Sequence, residues 1–119
     1  MYTSSTLALA VLELLAHLDD DDLEKDYVGI PADIPDSVKI TPIRASSLPR
    51  EWRNLPRPQA LADLGNRWAA ARESAVLAVP SAIIPSDLNY LLNPLHPQFR
   101  RIRIGRPEPF TFDPRLRKP

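Results

Sequence analysis

Apolar residues are spread unevenly along the chain, and the densest run is Ala75, Val76, Leu77, Ala78 and Val79, closed by Pro80. A short continuous apolar run with β-branched members predicts a strand buried on both faces. Proline ends it, because it cannot donate to a sheet ladder and pushes the preceding residue toward extended geometry. Near the N-terminus Leu7, Val11, Leu14 and Leu18 share one helical stripe, which Leu12, Leu15 and the alanines broaden almost all the way round. This pattern predicts a helix capped by Ser4 or Ser5, running to about His17 and buried on most faces. A second helical period covers residues 59–72: Leu61, Leu64 and Trp68, with Ala60 and Ala71, make its core stripe, and Gly65 weakens it modestly. Residues 27–30 and 38–43 read as short strands about a proline turn at 32–36, and residues 48–58 read as loop. Alternation at 101–104 predicts a half-buried strand with its arginines on one face, and 110–112 a last short strand before a turn into a basic tail. The elements together predict an α+β domain, a mixed β-sheet with packed helices.

Composition narrows the class. A chain of 119 residues fits one domain, and a domain of that size buries about two-thirds of its unfolded surface. Fifteen basic and fifteen acidic residues cancel, so no global field favours nucleic acid or an anionic membrane. The absence of cysteine excludes a disulfide framework, a thiolate nucleophile and a Cys-ligated zinc site, and fits the cytoplasm. Fourteen prolines against three glycines imply stiff loops. Residues 7–16 carry Glu13, follow no basic segment and are too short to span a bilayer. The acidic run at 19–22 lacks the alternating ligands and glycine of a calcium loop and reads as a solvated helix end.

Candidate chemistry sits in two places. Glu13 lies four residues before His17, and both fall on the one polar stripe of the first helix. A carboxylate on a core helix costs several kcal/mol unless it is paired or hydrogen-bonded, so Glu13 is either a working residue or an exposed one on a narrow wet stripe. The second place follows the buried strand, where Ser81, Asn89, Asn93, His96 and Gln98 crowd together. Ser81 is either a ligand group at a strand end or the cap of a turn, and Asn93-Pro94 and His96-Pro97 are also ordinary turn pairs. Trp68 reads as packing. The arginines of 100–106 are either phosphate contacts or the wet face of an edge strand. A nucleic-acid role for them is disfavoured by the neutral charge balance.

The string VPSAIIPSDLNYLLNPLHP, with FTFDPRL following, resembles the C-terminal half of a RES domain, a family named for an arginine, a glutamate and a serine. YTSSTLALAVLE, LPREW and DLGNRW resemble further family elements in the same order. The resemblance implies an ADP-ribosyltransferase-like fold and an NAD-degrading toxin that cleaves the nicotinamide–ribose bond, with phosphate, water or a protein side chain as acceptor. It implies Glu13 and Tyr2 as catalytic residues, with Tyr2 at the end of the strand before the Glu13 helix, and Tyr2, Ser81 and Asn93 as contacts to NAD. NAD is then the substrate, with no prosthetic group and no metal. An Xre-type antitoxin is the expected partner, with no membrane and no direct nucleic acid, and self-association is left open. RES domains normally begin ahead of the Tyr2 strand, with an arginine thought to grip the NAD phosphates. Residues 1–119 are therefore expected to be a RES domain lacking its N-terminal segment. The alternative is an inactive remnant that only binds a partner.

Overall fold

The computed structural model describes residues 1–116. In chain order these form β1 (Tyr2–Ser4), α1 (Leu7–Leu15), β2 (Tyr27–Gly29), β3 (Ala32–Asp33), β4 (Ile40–Pro42), α2 (Gln59–Ala71), β5 (Val76–Pro80), β6 (Leu88–Leu92), β7 (Arg103–Ile104) and β8 (Glu108–Phe110). The main sheet has four strands in the order β1-β6-β5-β4. Only β4 and β5 are parallel; β5–β6 and β1–β6 are antiparallel. Two-stranded ribbons join β2 to β8 and β3 to β7. This is a mixed α+β architecture, as the patterning predicts.

The apolar run at 75–79 becomes the central strand. Ala75, Val76, Leu77 and Ala78 are all buried, because both faces of β5 are covered. Successive side chains alternate across the sheet, and the strand register sorts them. Val76 pairs with Leu92 and Ala78 with Tyr90, which places these four on one face. There Val76, Leu92 and Tyr90 pack in a core with Val38, Ile102 and Phe99. Leu77, Val79, Asn89 and Leu91 point the other way, together with Tyr2 and Ser4. Helix α2 approaches that second face through Leu61, Leu64 and Gly65.

A buried polar node fastens α2 to the sheet. Ser74, fully buried between them, accepts from Trp68 Nε1 at 2.9 Å and donates to the Val76 carbonyl at 2.9 Å. Thr41 Oγ1 of β4 lies 2.6 Å from the same hydroxyl. A serine has one proton to give, so Thr41 is the donor there. Trp68 is a packing residue with its polar atom satisfied, as expected. In the β3–β7 ribbon, the Gly105 amide donates to the Pro31 carbonyl at 2.7 Å. A Cβ at Gly105 would stand 2.7 Å from Pro31 Cγ, so only glycine fits.

Several expectations need correction. Helix α1 is capped by Thr6, whose Oγ1 accepts from the Leu9 amide at 3.1 Å, while Ser4 belongs to β1. Tyr2 begins that strand rather than ending it. The helix stops at Leu15, so His17 lies beyond it, in a turn. Nor is α1 wrapped in core: Leu9 is its one buried residue, and Leu7 is 59% exposed. It lies on the outside of the sheet and can bury only one flank. The proline turn at 32–36 contains β3. Ala60 and Ala71 of α2 are exposed, because the helix buries a narrower stripe than its composition suggested. The strand at 101–104 shrinks to Arg103–Ile104, since a 3₁₀ turn holds Pro97–Arg101. The last strand ends at Phe110, and Phe112 is buried just beyond it against the Tyr27 ring. The strand β6 has no counterpart among the predicted elements. The end of the basic tail, 117–119, lies outside the described residues.

Candidate active site around Glu13

Thr6 starts α1, and the buried Leu9 sets which flank faces inward. Residues four apart share a helix face, so Glu13 follows Leu9 onto the buried flank. It therefore does not sit on a solvent stripe with His17. The carboxylate meets two donors. Ser81 Oγ donates to Glu13 Oε1 at 2.7 Å, and Asn89 Nδ2 donates to the same oxygen at 2.8 Å. Neither donor is charged, and no described Lys, Arg or His forms an ion pair with Glu13. Hydrogen bonds to a charged acceptor are worth about 1.5–3 kcal/mol each, enough to fix the carboxylate. Oε2 has no protein partner among the described residues.

Asn89 is the hub. It is wholly buried, and the pleat of β6 turns it to the same side as Tyr2 and Ser4. Its Nδ2 donates to the Tyr2 hydroxyl at 2.6 Å as well as to Glu13, and its Oδ1 accepts from Ser4 Oγ at 2.8 Å. Both amide protons are committed. The reverse amide orientation would set oxygen against the carboxylate. Ser81 is equally constrained. It is fully buried, and its hydroxyl also accepts from the backbone amides of Ile83 and Ile84, each at 3.1 Å. Both sequence readings of Ser81 thus hold at once: the residue caps the turn after β5 and reaches Glu13.

Tyr2 as a whole is 59% exposed, while its hydroxyl accepts from the buried Asn89. Burial of that hydroxyl, helped by the Glu13 charge, holds the phenol pKa above its ordinary value, against the opposing pull of Arg57 and the Asn89 hydrogen bond. The group is a neutral phenol at physiological pH. Beside Tyr2 lies a cleft of about 170 Å³ between α2, the sheet and the preceding loop, with Trp52, Arg57, Leu61 and Leu64 on its walls.

Tyr2, Glu13 and Ser81 therefore converge, although they are far apart in sequence. Asn93 does not join them. It sits just past the far end of β6 from Asn89, about 13 Å away at a strand rise of roughly 3.3 Å per residue. There its Nδ2 donates to the Ala69 carbonyl at 3.3 Å and its Oδ1 accepts from the Leu95 amide at 3.1 Å. His96 and Gln98 likewise serve turns: His96 Nδ1 accepts from the Gln98 amide, and Gln98 Oε1 accepts from the Lys39 amide. Sequence reasoning named Asn89 only within the polar crowd after β5 and gave it no role, and it left Arg57 out. Alternation of Leu88, Tyr90 and Leu92 about Asn89 is the signal for the first. Arg57 lies in a loop and has none.

Comparison with known proteins places the chain in a family. The family model described as RES domain matches residues 1–113. The chain belongs to the RES domain family. A protein named "Toxin Res" from Yersinia enterocolitica is 35% identical over 118 residues, covering 98% of this chain and 77% of its own length. Another "Toxin Res", from Pseudomonas putida, is 36% identical over 98% of this chain and 78% of its own. The "Prs ADP-ribosylating toxin" of a Sphingobium species is 32% identical, with 98% and 73% covered. Within this RES domain, no described helix is long and apolar enough to cross a membrane. No group of three or more His, Asp or Glu among the described residues is disposed to hold a metal.

Proposed function

We propose that this RES domain acts on NAD as a toxin, breaking the bond between nicotinamide and ribose. The observation that carries the reading is Glu13, a carboxylate with one oxygen tied to two neutral donors, no counter-cation and the other oxygen without a protein partner. As the glycosidic bond breaks, its electron pair goes to the pyridinium nitrogen and nicotinamide leaves neutral. The ribose is left with oxocarbenium character, and a pre-positioned negative charge stabilises it more than the ground state. Glu13 Oε1 is the anchored oxygen; Oε2 is free to meet a ribose hydroxyl or the developing charge. Ser81 and Asn89 orient the carboxylate, and the Tyr2 phenol, accepting from Asn89, keeps its own proton to donate to the substrate. Phosphate, water or a protein side chain then captures the ribosyl carbon, giving phosphorolysis, hydrolysis or ADP-ribosyl transfer. The names of the relatives support both the toxin role and chemistry on an ADP-ribosyl group. A cytoplasmic site of action and a neutralising Xre-type antitoxin complete the proposal.

The test is NAD consumption by the purified chain, with nicotinamide release followed with and without phosphate. Glu13→Gln keeps shape and loses the charge, so it is expected to lower turnover by two decades or more, at about 1.4 kcal/mol per decade. Full activity of a folded Glu13→Gln variant would overturn the assignment.

A further inference from the structure

Strand β1 is three residues long, and each of them carries a hydroxyl. Successive side chains of a strand face opposite sides, so Tyr2 and Ser4 share the Glu13 side and Thr3 faces away. Thr3 Oγ1 donates to the Tyr90 carbonyl at 2.9 Å, a bond made within the sheet. Ser4 stands directly across from Asn89 in the register and donates to its Oδ1 at 2.8 Å. Tyr2 reaches the same amide diagonally and accepts from its Nδ2 at 2.6 Å. One short strand thus brackets the Asn89 amide, with Ser4 at its oxygen and Tyr2 at its nitrogen. The last torsion of an asparagine is broad rather than staggered, so the amide plane needs an anchor at both ends. Its nitrogen is tied to Tyr2 and Glu13, the very groups that need aiming. At its oxygen, Ser4 is the partner, and no other described residue shares that place. Asn89 is fully buried, so bulk water does not stand in for a lost partner.

We propose that Ser4 is a positioning residue: by holding the carbonyl end of Asn89 it fixes the amide plane, and with it the aim of Glu13 and Tyr2. Ser4 makes no hydrogen bond to either of those two side chains and acts through Asn89. Its effect on turnover rests on the NAD reading above and deepens it, by naming what aims the carboxylate. Its effect on the amide itself needs no substrate.

The test measures NAD turnover per folded molecule for wild type, Ser4→Ala, Asn89→Leu and the double variant. Ser4→Ala is expected to lower kcat about tenfold with KM within about twofold, because the lost bond orients the site without binding substrate. In the Asn89→Leu background the same change is expected to cost nothing further, since the residue it acts through is gone. Thr3→Val removes a hydroxyl from the other side of β1 and is expected to keep wild-type turnover. A second readout follows the Asn89 side-chain amide by NMR of the nitrogen-labelled chain, assigned by its loss in Asn89→Leu. Its protons are expected to exchange with water at least tenfold faster in Ser4→Ala, and at the wild-type rate in Thr3→Val. Should Ser4→Ala fail to fold, Ser4→Cys replaces it, because a thiol keeps the size and is only a weak donor. Wild-type turnover in the folded Ser4 variant, additive losses in the double variant, or unchanged amide exchange overturns the proposal. If wild type leaves NAD intact while loss of the Ser4 hydroxyl still frees the amide, the reaction falls and the positioning role stands.

Discussion

The two faces of β6 lie one residue apart and work by different rules. Tyr90 and Leu92 enter the apolar core with Val76, Val38 and Ile102. Asn89 enters a network with Tyr2, Ser4 and Glu13. Apolar packing is non-directional and tolerates volume-conserving exchange at modest cost. A buried amide with every proton committed tolerates almost none, because each lost partner leaves a polar group unsatisfied. One face therefore sets how stable the domain is, and the other sets where a single carboxylate points. The same strand serves both because its pleat separates them.

Four experiments press on that division. Leu92→Ala attacks the core face and is expected to cost about 2–5 kcal/mol, a large share of the roughly 5–15 kcal/mol that holds a domain together. Denaturant melts would measure the loss, and turnover per folded molecule should stay near wild type. A collapse of activity in the folded fraction would mean that the faces are coupled. Asn89→Leu attacks the other face. It strands the Ser4 and Tyr2 hydroxyls, for a stability loss of roughly 1–3 kcal/mol, while NAD turnover drops by about two decades as Glu13 loses its aim. Asn93→Leu is the internal control: about 1 kcal/mol of stability and no change in turnover. Equal effects of the two asparagine variants on activity would erase the distinction between the ends of the strand. The smallest effect is the pH response of Tyr2. Its phenol pKa is raised in the folded chain, so the folded state keeps a proton that the unfolded chain has released. That contribution is complete below the ordinary phenol value of 10.0 and fades as pH rises beyond it. Unfolding midpoints taken on either side of that pH should fall on the alkaline side in wild type, and less so in Tyr2→Phe.

The core face was the more legible in the sequence. Val76–Pro80 announces itself by an unbroken apolar run, and the stripe of Leu61, Leu64 and Trp68 announces α2. The site face was legible residue by residue but not as a geometry. Glu13 stands out as a charge among leucines, yet helical periodicity assigned it to the polar stripe with His17. Only the inward turn of Leu9 shows that it lies on the buried flank. Asn89 was visible as one of several crowded polar residues but not as the hub, because asparagine is depleted in strands and a five-residue strand with a buried amide read as part of a turn-rich stretch. Asn93 misled for the opposite reason: an Asn-Pro pair beside the motif carries the same hydrogen-bonding groups but spends them on its own turn. The apolar composition of α1 overstated its burial, since composition says nothing of how many sides a neighbour covers.

The pairing of β1 with β6 also bears on when the proposed activity can arise. Tyr2 and Asn89 meet across 87 residues of sequence, and Glu13 and Asn89 across 76. During synthesis, at about 5–20 residues per second, Tyr2 and Glu13 leave the ribosome many seconds before the strand that aims them exists. Contacts of such long separation also close late in folding. A nascent or clipped chain lacking β6 carries the carboxylate but not its orientation. On the proposed function, the cell that makes this protein would meet its chemistry only once the last strand of the main sheet is seated, a delay written into the topology.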